Sequence, residues 1–546
     1  MKEILDKLIL PNDVKELLEK QNNLVVPKSR QHLLELALGG ADNKTFSVGY
    51  DVEGKGWIEE AQVTRCKNGV AANYMDMYMR RRDPDCMVIS DDLPTDKPRY
   101  EDRYGEPFES TRKATFEWLN QGELIVMPFM SGGHDYGYPS LLIAPVNTGF
   151  FAAALADLQG LVPLDELRDG FAPRAIVYVA PPFRHTLYGG KQVVVHNRKY
   201  SLHEVFSYNL YPGPSAKKGI YGVLLNLGEN EGWVTLHAST VKVVTPYENV
   251  LTIMHEGASG GGKSEMAEQF HKDEQGRLKL AKNLVTGDST YIDINAGCEL
   301  YPVTDDMALC HPSYQTGKKL VVTDGEAGWF VRVNHITEYG SVPYYEKMCI
   351  HPKEPLVFLN MQANPDATCL IWEHTIDEEL GKPCPNPRVI LPRTLIKDIV
   401  NKPIEVDIRS FGVRTPQCTK EEPTYGIVGL FHILPPALGW LWRLVAPRGH
   451  ANPSILDSEG MKAEGVGSYW PFATGKKVTQ ANLLLDQILS TPDTRYILIP
   501  NQHIGAYEVG FTSQWIAREY IARRGSAHFM EDQLMESRCS LLGYSP

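Results

Sequence analysis

The chain has 546 residues, too many for one small core, so two or more domains are expected. Hydrophobic residues make up 43%, charged residues 22% and aromatics 10%, which excludes disordered, fibrous and coiled-coil chains, since each of those needs a strong bias. With 55 basic against 67 acidic side chains the formal charge is −12, so no general affinity for nucleic acid or an anionic membrane is expected, and any phosphate chemistry must gather its cations locally.

The opening Met1-Lys-Glu-Ile-Leu-Asp-Lys-Leu reads as an amphipathic helix start, its charges breaking the apolar run that a signal peptide needs. Helical patterning dominates residues 1–40, and loops rich in Asp, Pro and Arg fill 80–112. From about 123 short apolar runs bounded by Gly and Pro read as strands: Leu124-Ile-Val-Met-Pro, Leu141-Leu-Ile-Ala-Pro, Ala175-Ile-Val-Tyr-Val and Gln192-Val-Val-Val-His. A second set follows at Gly222-Val-Leu-Leu-Asn-Leu, Trp233-Val-Thr-Leu-His, Val250-Leu-Thr-Ile-Met, Lys319-Leu-Val-Val-Thr, Trp329-Phe-Val-Arg-Val and Leu356-Val-Phe-Leu. Strands this frequent, with fewer and shorter helices, predict a mixed α/β fold rather than a regular doubly wound sheet. A boundary near 210–235 is expected to divide it into two domains, 1–230 and 231–546. The most apolar stretch, Ile427 to Trp442, contains His432 and Pro435-Pro436 and falls short of a membrane span, so it is expected as buried core. Nine cysteines without a Cys-x-x-Cys pair fit neither a disulfide framework nor a zinc site, and suit a reducing cytoplasm.

One motif dominates the functional reading. Gly257-Ala-Ser-Gly-Gly-Gly-Lys263-Ser264 matches a phosphate-binding loop, with Ser259, Gly260, Gly261 and Gly262 between its first glycine and its lysine. An apolar strand from Asn249 to Met254 precedes it, and Glu265-Met-Ala-Glu-Gln-Phe reads as a helix start behind it. Glycines let backbone amides turn toward phosphates, and a helix N-terminus adds partial positive charge. Lys263 would neutralise the β- and γ-phosphates of ATP, or the β-phosphate of ADP, and the Ser264 hydroxyl would hold a nucleotide-bound Mg2+. Upstream sit Tyr211, Gly213, the pair Lys217-Lys218 and His237. Together they suggest a lysine amine and an imidazole on one divalent metal. A lysine ligates only when neutral, so its pKa must drop well below about 10.4, pushed by a neighbouring cation, Lys217, and by the metal.

These residues resemble the core of the ATP-dependent phosphoenolpyruvate carboxykinases, whose pattern is Tyr-x-Gly-Glu-x-Lys-Lys, a His, and Gly-x-Ser-Gly-Thr-Gly-Lys-Thr. Weaker likenesses follow in the family's order over roughly 80–480. Arg82-Asp-Pro-Asp resembles the segment whose arginine holds the substrate carboxylate, and Ser131-Gly-Gly-His-Asp its Ala-Gly-Ala-Asp-Pro turn. Asn386-Pro-Arg388 resembles the stretch with an arginine at the transferring phosphoryl group, and Phe411-Gly-Val-Arg-Thr-Pro its Phe-Gly-Val-Leu-Pro-Pro. Arg448-Gly-His-Ala-Asn-Pro-Ser454 is similar to a nucleotide-binding stretch, and Ala473-Thr-Gly-Lys-Lys-Val to a late Gly-Thr-Gly-Lys-Arg-Ile. The resemblance implies a two-domain α/β fold, with an N-terminal substrate-binding domain, 1–230, a C-terminal nucleotide-binding domain, 231–546, and the active site between them.

The departures matter as much. The loop ends Lys-Ser-Glu, in which it looks like HPr kinase/phosphorylase, and the glutamate before the double lysine is missing. The family's acidic metal pair normally follows the loop closely; here the favoured candidate, Asp305-Asp306, follows an insertion at 268–304, with Asp324 as its rival. The resemblance implies Mn2+ on Lys218, His237 and Asp306, and Mg2+ with ATP at Ser264 and Asp305. It further implies Arg82 on the substrate carboxylate, Tyr211 against the substrate, Lys263 and Arg388 on the transferring phosphoryl group, and Arg448 and Ser454 beside the nucleotide. The expected reaction interconverts oxaloacetate and phosphoenolpyruvate. The alternatives are a kinase of another acceptor, a protein serine or a small metabolite, and a nucleotide sensor without turnover.

Overall fold

The computed structural model describes residues 2–423 except 22, 134, 200, 258–260, 274 and 295, then 432–433, 435–445, 447–448, 462–463, 471–524, 532, 535–536 and 544–545. The fold is mixed α/β with several mixed sheets. The chain divides into two compact units, one containing Met1–Leu224 and Glu326–Ile396, the other Leu225–Gly325, Lys397–Asn452 and Ser458–Pro546. The first unit therefore takes back a segment from the middle of the sequence.

In the first unit a seven-stranded sheet runs in the order Leu24–Val25, Leu124–Ser131, Tyr138–Pro145, Ala175–Val179, His203–Ser207, Val194–Arg198 and Met87–Ile89. Parallel and antiparallel neighbours alternate irregularly along it. Its central strands read as continuous apolar runs because both faces are buried. A six-stranded sheet joins Thr45–Val52, Gly56–Cys66 and Gly69–Tyr74 to Leu356–Leu359, Arg388–Pro392 and Gly328–Arg332, so the returning segment is tied in by strand pairing. The helix Gly149–Gln159 is buried along its whole length. A side chain at Gly149 would come within 2.3 Å of the Leu36 backbone, so glycine there lets the helix press against Arg30–Ala37.

The second unit is built on an eleven-stranded sheet whose main path is Ser289–Ile292, Leu278–Asn283, Tyr507–Gly510, Arg495–Ile504, Ile408–Thr415, Val250–Glu256, Ala238–Val244 and Glu299–Thr304. Its core joins Val241, Val243, Leu251, Ile253, Met266, Ile408, Ile497 and Ile499 to Ala517 and Ile521 of the helix Thr512–Arg523. The inserted stretch forms a hairpin, Leu278–Asn283 with Ser289–Ile292, that extends this sheet past Tyr507–Gly510.

Two sequence expectations need correction. The run at Gly222 is not a strand: it lies inside the helix Lys218–Glu231. Its residues are buried around the whole circumference, so the polar stripe that marks a helix is missing and periodicity cannot separate it from a buried strand. The stretch Ile427–Trp442 lies partly outside the described residues; its described part includes the strand His432–Ile433 and the start of the helix Pro436–Val445, where Leu441 is exposed rather than in the core. Among the described residues no helix is long and apolar enough to cross a membrane.

Candidate functional site

Sheet order assembles the strongest candidate site. Ala238–Val244 runs antiparallel to both Val250–Glu256 and Glu299–Thr304, with Ala238 opposite Glu256 and Thr240 opposite Thr304. The start of the middle strand and the ends of its two neighbours therefore share one edge, and His237, Gly257 and Asp305 follow or precede them directly. Residues far apart in sequence meet by register alone. There the Asp306 carboxylate lies 2.6 Å from His237 Nε2 and 3.8 Å from Lys263 Nζ. The Ser264 hydroxyl donates to Asp305 Oδ1 at 3.3 Å, and Lys263 Nζ donates to the Gly257 carbonyl at 2.9 Å. Phe472 sets its ring edge-on to His237 at 5.5 Å. Asp324, the rival carboxylate, ends the strand Leu320–Asp324 opposite Ala308.

The loop is held from beneath by groups the sequence reading did not name. The carbonyl of Gly261 accepts hydrogen bonds from His255 Nε2 at 2.9 Å and from Asn501 Nδ2 at 3.0 Å. A carbonyl only accepts, so the proton of this contact sits on His255 Nε2, while Ser410 Oγ holds Nδ1 at 2.7 Å. Gly412 makes room for the arrangement: a Cβ there would fall 2.0 Å from the Gly261 oxygen. Gly262 has φ +90°, a left-handed conformation that suits glycine. Ser259 and Gly260 lie outside the described residues, as does Ser454; Arg448 is described only as backbone, in the strand Pro447–Arg448.

The helix behind the loop is shorter than the sequence suggests, Lys263–Ala267. The Arg518 guanidinium takes the Met266 and Glu268 carbonyls at 2.5 and 2.8 Å, and His271 turns to pack on Trp515 at 5.0 Å. Those contacts replace a further helical turn. So short a helix adds little dipole, and any affinity for an anion would rest chiefly on Lys263.

The other sequence-predicted residues belong to the first unit. Tyr211 is buried, its hydroxyl accepting from Asn386 Nδ2 at 2.7 Å and its ring 6.3 Å from that of Phe330. Lys217 is buried against Glu326, with Nζ 3.3 Å from the carboxylate, so a carboxylate neutralises the cation expected to act on Lys218. Gln159 donates to the Ala216 carbonyl at 3.1 Å and steadies the turn ahead of both lysines. Lys218 opens its helix with Nζ 5.4 Å above the ring of Tyr221. Arg388 stacks 4.9 Å over Phe330 and donates to Asn386 Oδ1 at 2.8 Å and to the Phe330 carbonyl at 3.1 Å. Arg82 is half-buried; its neighbours Arg80 and Arg81 both bind Asp377. Burial pushes Lys97 down to about 8, and the positive charge of Arg82 acts in the same direction.

The donor set at Asp306 and Asp305, two carboxylates with an imidazole and a hydroxyl, suits a hard divalent ion that keeps waters or phosphate oxygens as its remaining ligands. Among the described residues no three His, Cys, Asp or Glu side chains converge closely enough to hold an ion by themselves. Over residues 10–546 the chain matches a family model described as a domain of unknown function (DUF4914). The chain belongs to the DUF4914 family. No curated protein matches it.

Of the loop supports in this family member, only Gly412 had a sequence cue, within the Phe411-Gly-Val segment. His255, Ser410 and Asn501 sit at strand positions where polar residues ordinarily complete a sheet, and nothing in their spacing distinguishes them. A cavity of about 640 Å3 in the first unit, lined by Glu35, Phe46, Tyr50, Trp118 and Asn147 among others, includes none of the sequence-predicted residues.

Proposed function

We propose that this chain is a nucleotide- and metal-dependent phosphotransferase of the phosphoenolpyruvate carboxykinase type, interconverting oxaloacetate and phosphoenolpyruvate with ATP or ADP. The observation that carries the reading is the meeting of Lys263, Ser264, Asp305, Asp306 and His237 at one sheet edge beside a glycine loop. The two-domain carboxykinase-like architecture and the cytoplasmic location belong to the same proposal.

In this reading Lys263 leaves the Gly257 carbonyl for the β- and γ-phosphate oxygens and neutralises charge as it builds up in phosphoryl transfer. His237, Asp306 and Lys218 would hold Mn2+, and Ser264 and Asp305 the Mg2+ of the nucleotide. The ions would supply Lewis-acid stabilisation of enolate and phosphate oxygens. Loss of CO2 from oxaloacetate leaves an enolate, whose oxygen attacks the γ-phosphorus as ADP departs. Arg388, pre-oriented by Asn386 and Phe330, would spread charge on the transferring group, and Arg82 would orient the substrate carboxylate. Tyr211 fixes Asn386 and, through it, Arg388. A kinase of another acceptor is the second reading, favoured by Glu265 directly after Lys263-Ser264.

The test is incubation with phosphoenolpyruvate, bicarbonate, ADP, Mg2+ and Mn2+, following oxaloacetate through malate dehydrogenase. Metal-dependent oxaloacetate formation, lost in Lys263→Ala, is expected. ADP binding without oxaloacetate formation moves the reading to another acceptor; absence of both removes it.

A further inference from the structure

The turn between the strands Gly56–Cys66 and Gly69–Tyr74 in the first unit holds a group of thiols that plays no part in the proposed chemistry. It is fastened to residues 366–369 by backbone hydrogen bonds, Asp366 N to the Arg65 carbonyl at 3.0 Å and Lys67 N to the Ala367 carbonyl at 2.9 Å. Buried Asn68 completes the tie: its Oδ1 accepts from Cys369 N at 2.8 Å, and its Nδ2 donates to the carbonyls of Cys369 and Cys349 at 2.9 and 2.7 Å. Gly69 lets the turn lie against Leu356, since a Cβ there would meet the Leu356 oxygen at 1.9 Å. One amide side chain thus gathers Cys66, Cys349 and Cys369, all reduced and buried.

Within this group Cys66 and Cys369 interact through their side chains. The Cys369 thiol hydrogen-bonds the Cys66 sulfur, and the Cys66 thiol lies 3.8 Å from the Thr64 carbonyl. We infer that Cys66 and Cys369 are a peroxide-sensitive pair that closes to a disulfide between the turn and the segment leading on to Asp377 and Arg388. The two cysteines differ as attacking and resolving thiols should. The Cys369 hydrogen bond lowers the Cys66 pKa, while that same contact and burial raise Cys369 well above the ordinary thiol value. Cys66 also keeps 7% of its surface open, against 1% for Cys369.

The Cys66 thiolate attacks one oxygen of hydrogen peroxide, giving the sulfenic acid and hydroxide. The Cys369 sulfur then displaces the sulfenic hydroxyl as its own proton is lost. Two thiols and one peroxide thereby become one disulfide and two waters, each sulfur giving up one electron. Cys349 is left out because the hydrogen bond of Cys369 is with Cys66, whereas Cys349 acts on Cys369 through charge alone.

The experiment exposes the folded full chain to hydrogen peroxide, blocks remaining thiols under denaturing conditions, and maps peptides by mass spectrometry without reduction. The expected result is a Cys66–Cys369 linked peptide, two fewer blocked thiols per chain, and a rate that rises with pH as the thiolate fraction grows. In Cys369→Ala, a dimedone adduct on Cys66 is expected in place of the disulfide. A Cys349–Cys369 bridge, sulfinic acid on Cys66 of the unaltered chain without crosslinking, or no reaction at either residue would overturn the inference.

Discussion

Gly412→Ala isolates the loop geometry from the loop chemistry, because Gly412 touches the loop backbone and carries no functional group. In the structure its added methyl carbon would lie 2.0 Å from the Gly261 oxygen and 2.8 Å from His255 Nε2. Such contacts are not tolerated below 3.0 Å, so the Gly261 carbonyl must retreat by about 1 Å. That movement stretches its hydrogen bonds from His255 and Asn501, now 2.9 and 3.0 Å, beyond useful length. Two buried hydrogen bonds at about 1 kcal/mol each come to about 2 kcal/mol, or roughly a 30-fold loss in affinity for a ligand that needs the native loop. Titration of Mg-ADP by calorimetry measures this directly. Gly122→Ala, whose methyl would meet nothing within 4 Å, is the control. Equal ADP affinity in both variants and the unaltered chain would refute the claim that Gly261 must stay where His255 and Asn501 hold it. An unaltered chain that does not bind ADP would instead remove the phosphate-loop assignment.

His237→Ala should weaken Mn2+ binding by roughly tenfold or more, read from the free-ion electron-spin signal; unchanged affinity would leave His237 as a structural partner of Asp306 alone. The fully buried Arg409 pairs with Glu256, the residue directly before the loop, so Arg409→Met should cost about 3–5 kcal/mol by stranding that carboxylate. A chemical-denaturation midpoint indistinguishable from that of the unaltered chain would contradict it. His196 and His203, hydrogen-bonded to each other at 2.8 Å and buried, have pKa values lowered chiefly by burial, to about 3 for His203. The unfolded chain binds their protons below about 6.5 and the native chain does not, so stability present above that pH falls as pH drops toward 3. Each histidine contributes a slope of about 1.4 kcal/mol per pH unit in that window. Urea unfolding at stepped pH should show a shallower decline in His203→Gln, and an identical slope would show that other groups carry the acid sensitivity.

The sequence made the strands of the buried sheets legible because runs such as Ala175–Val179 are short, apolar and bounded by turn residues. The same rule misread Gly222–Leu227, where burial on every side removed the polar stripe of the helix. At the candidate site the glycine loop and Lys263 were legible because their spacing is local. Asp306 was a harder inference, since its place depends on which strands are neighbours. Once Ala238–Val244 is known to separate the loop strand from Glu299–Thr304 in antiparallel register, an aspartate pair directly after Thr304 must emerge at the loop's edge, whatever the length of the insertion between. The insertion cannot move it, because the hairpin leaves for the far side of the sheet and the last inserted strand returns to pair with Ala238–Val244. His255 and Asn501 were illegible for the complementary reason. Each does its work through one contact to a backbone carbonyl, and such a contact leaves no pattern in a single sequence.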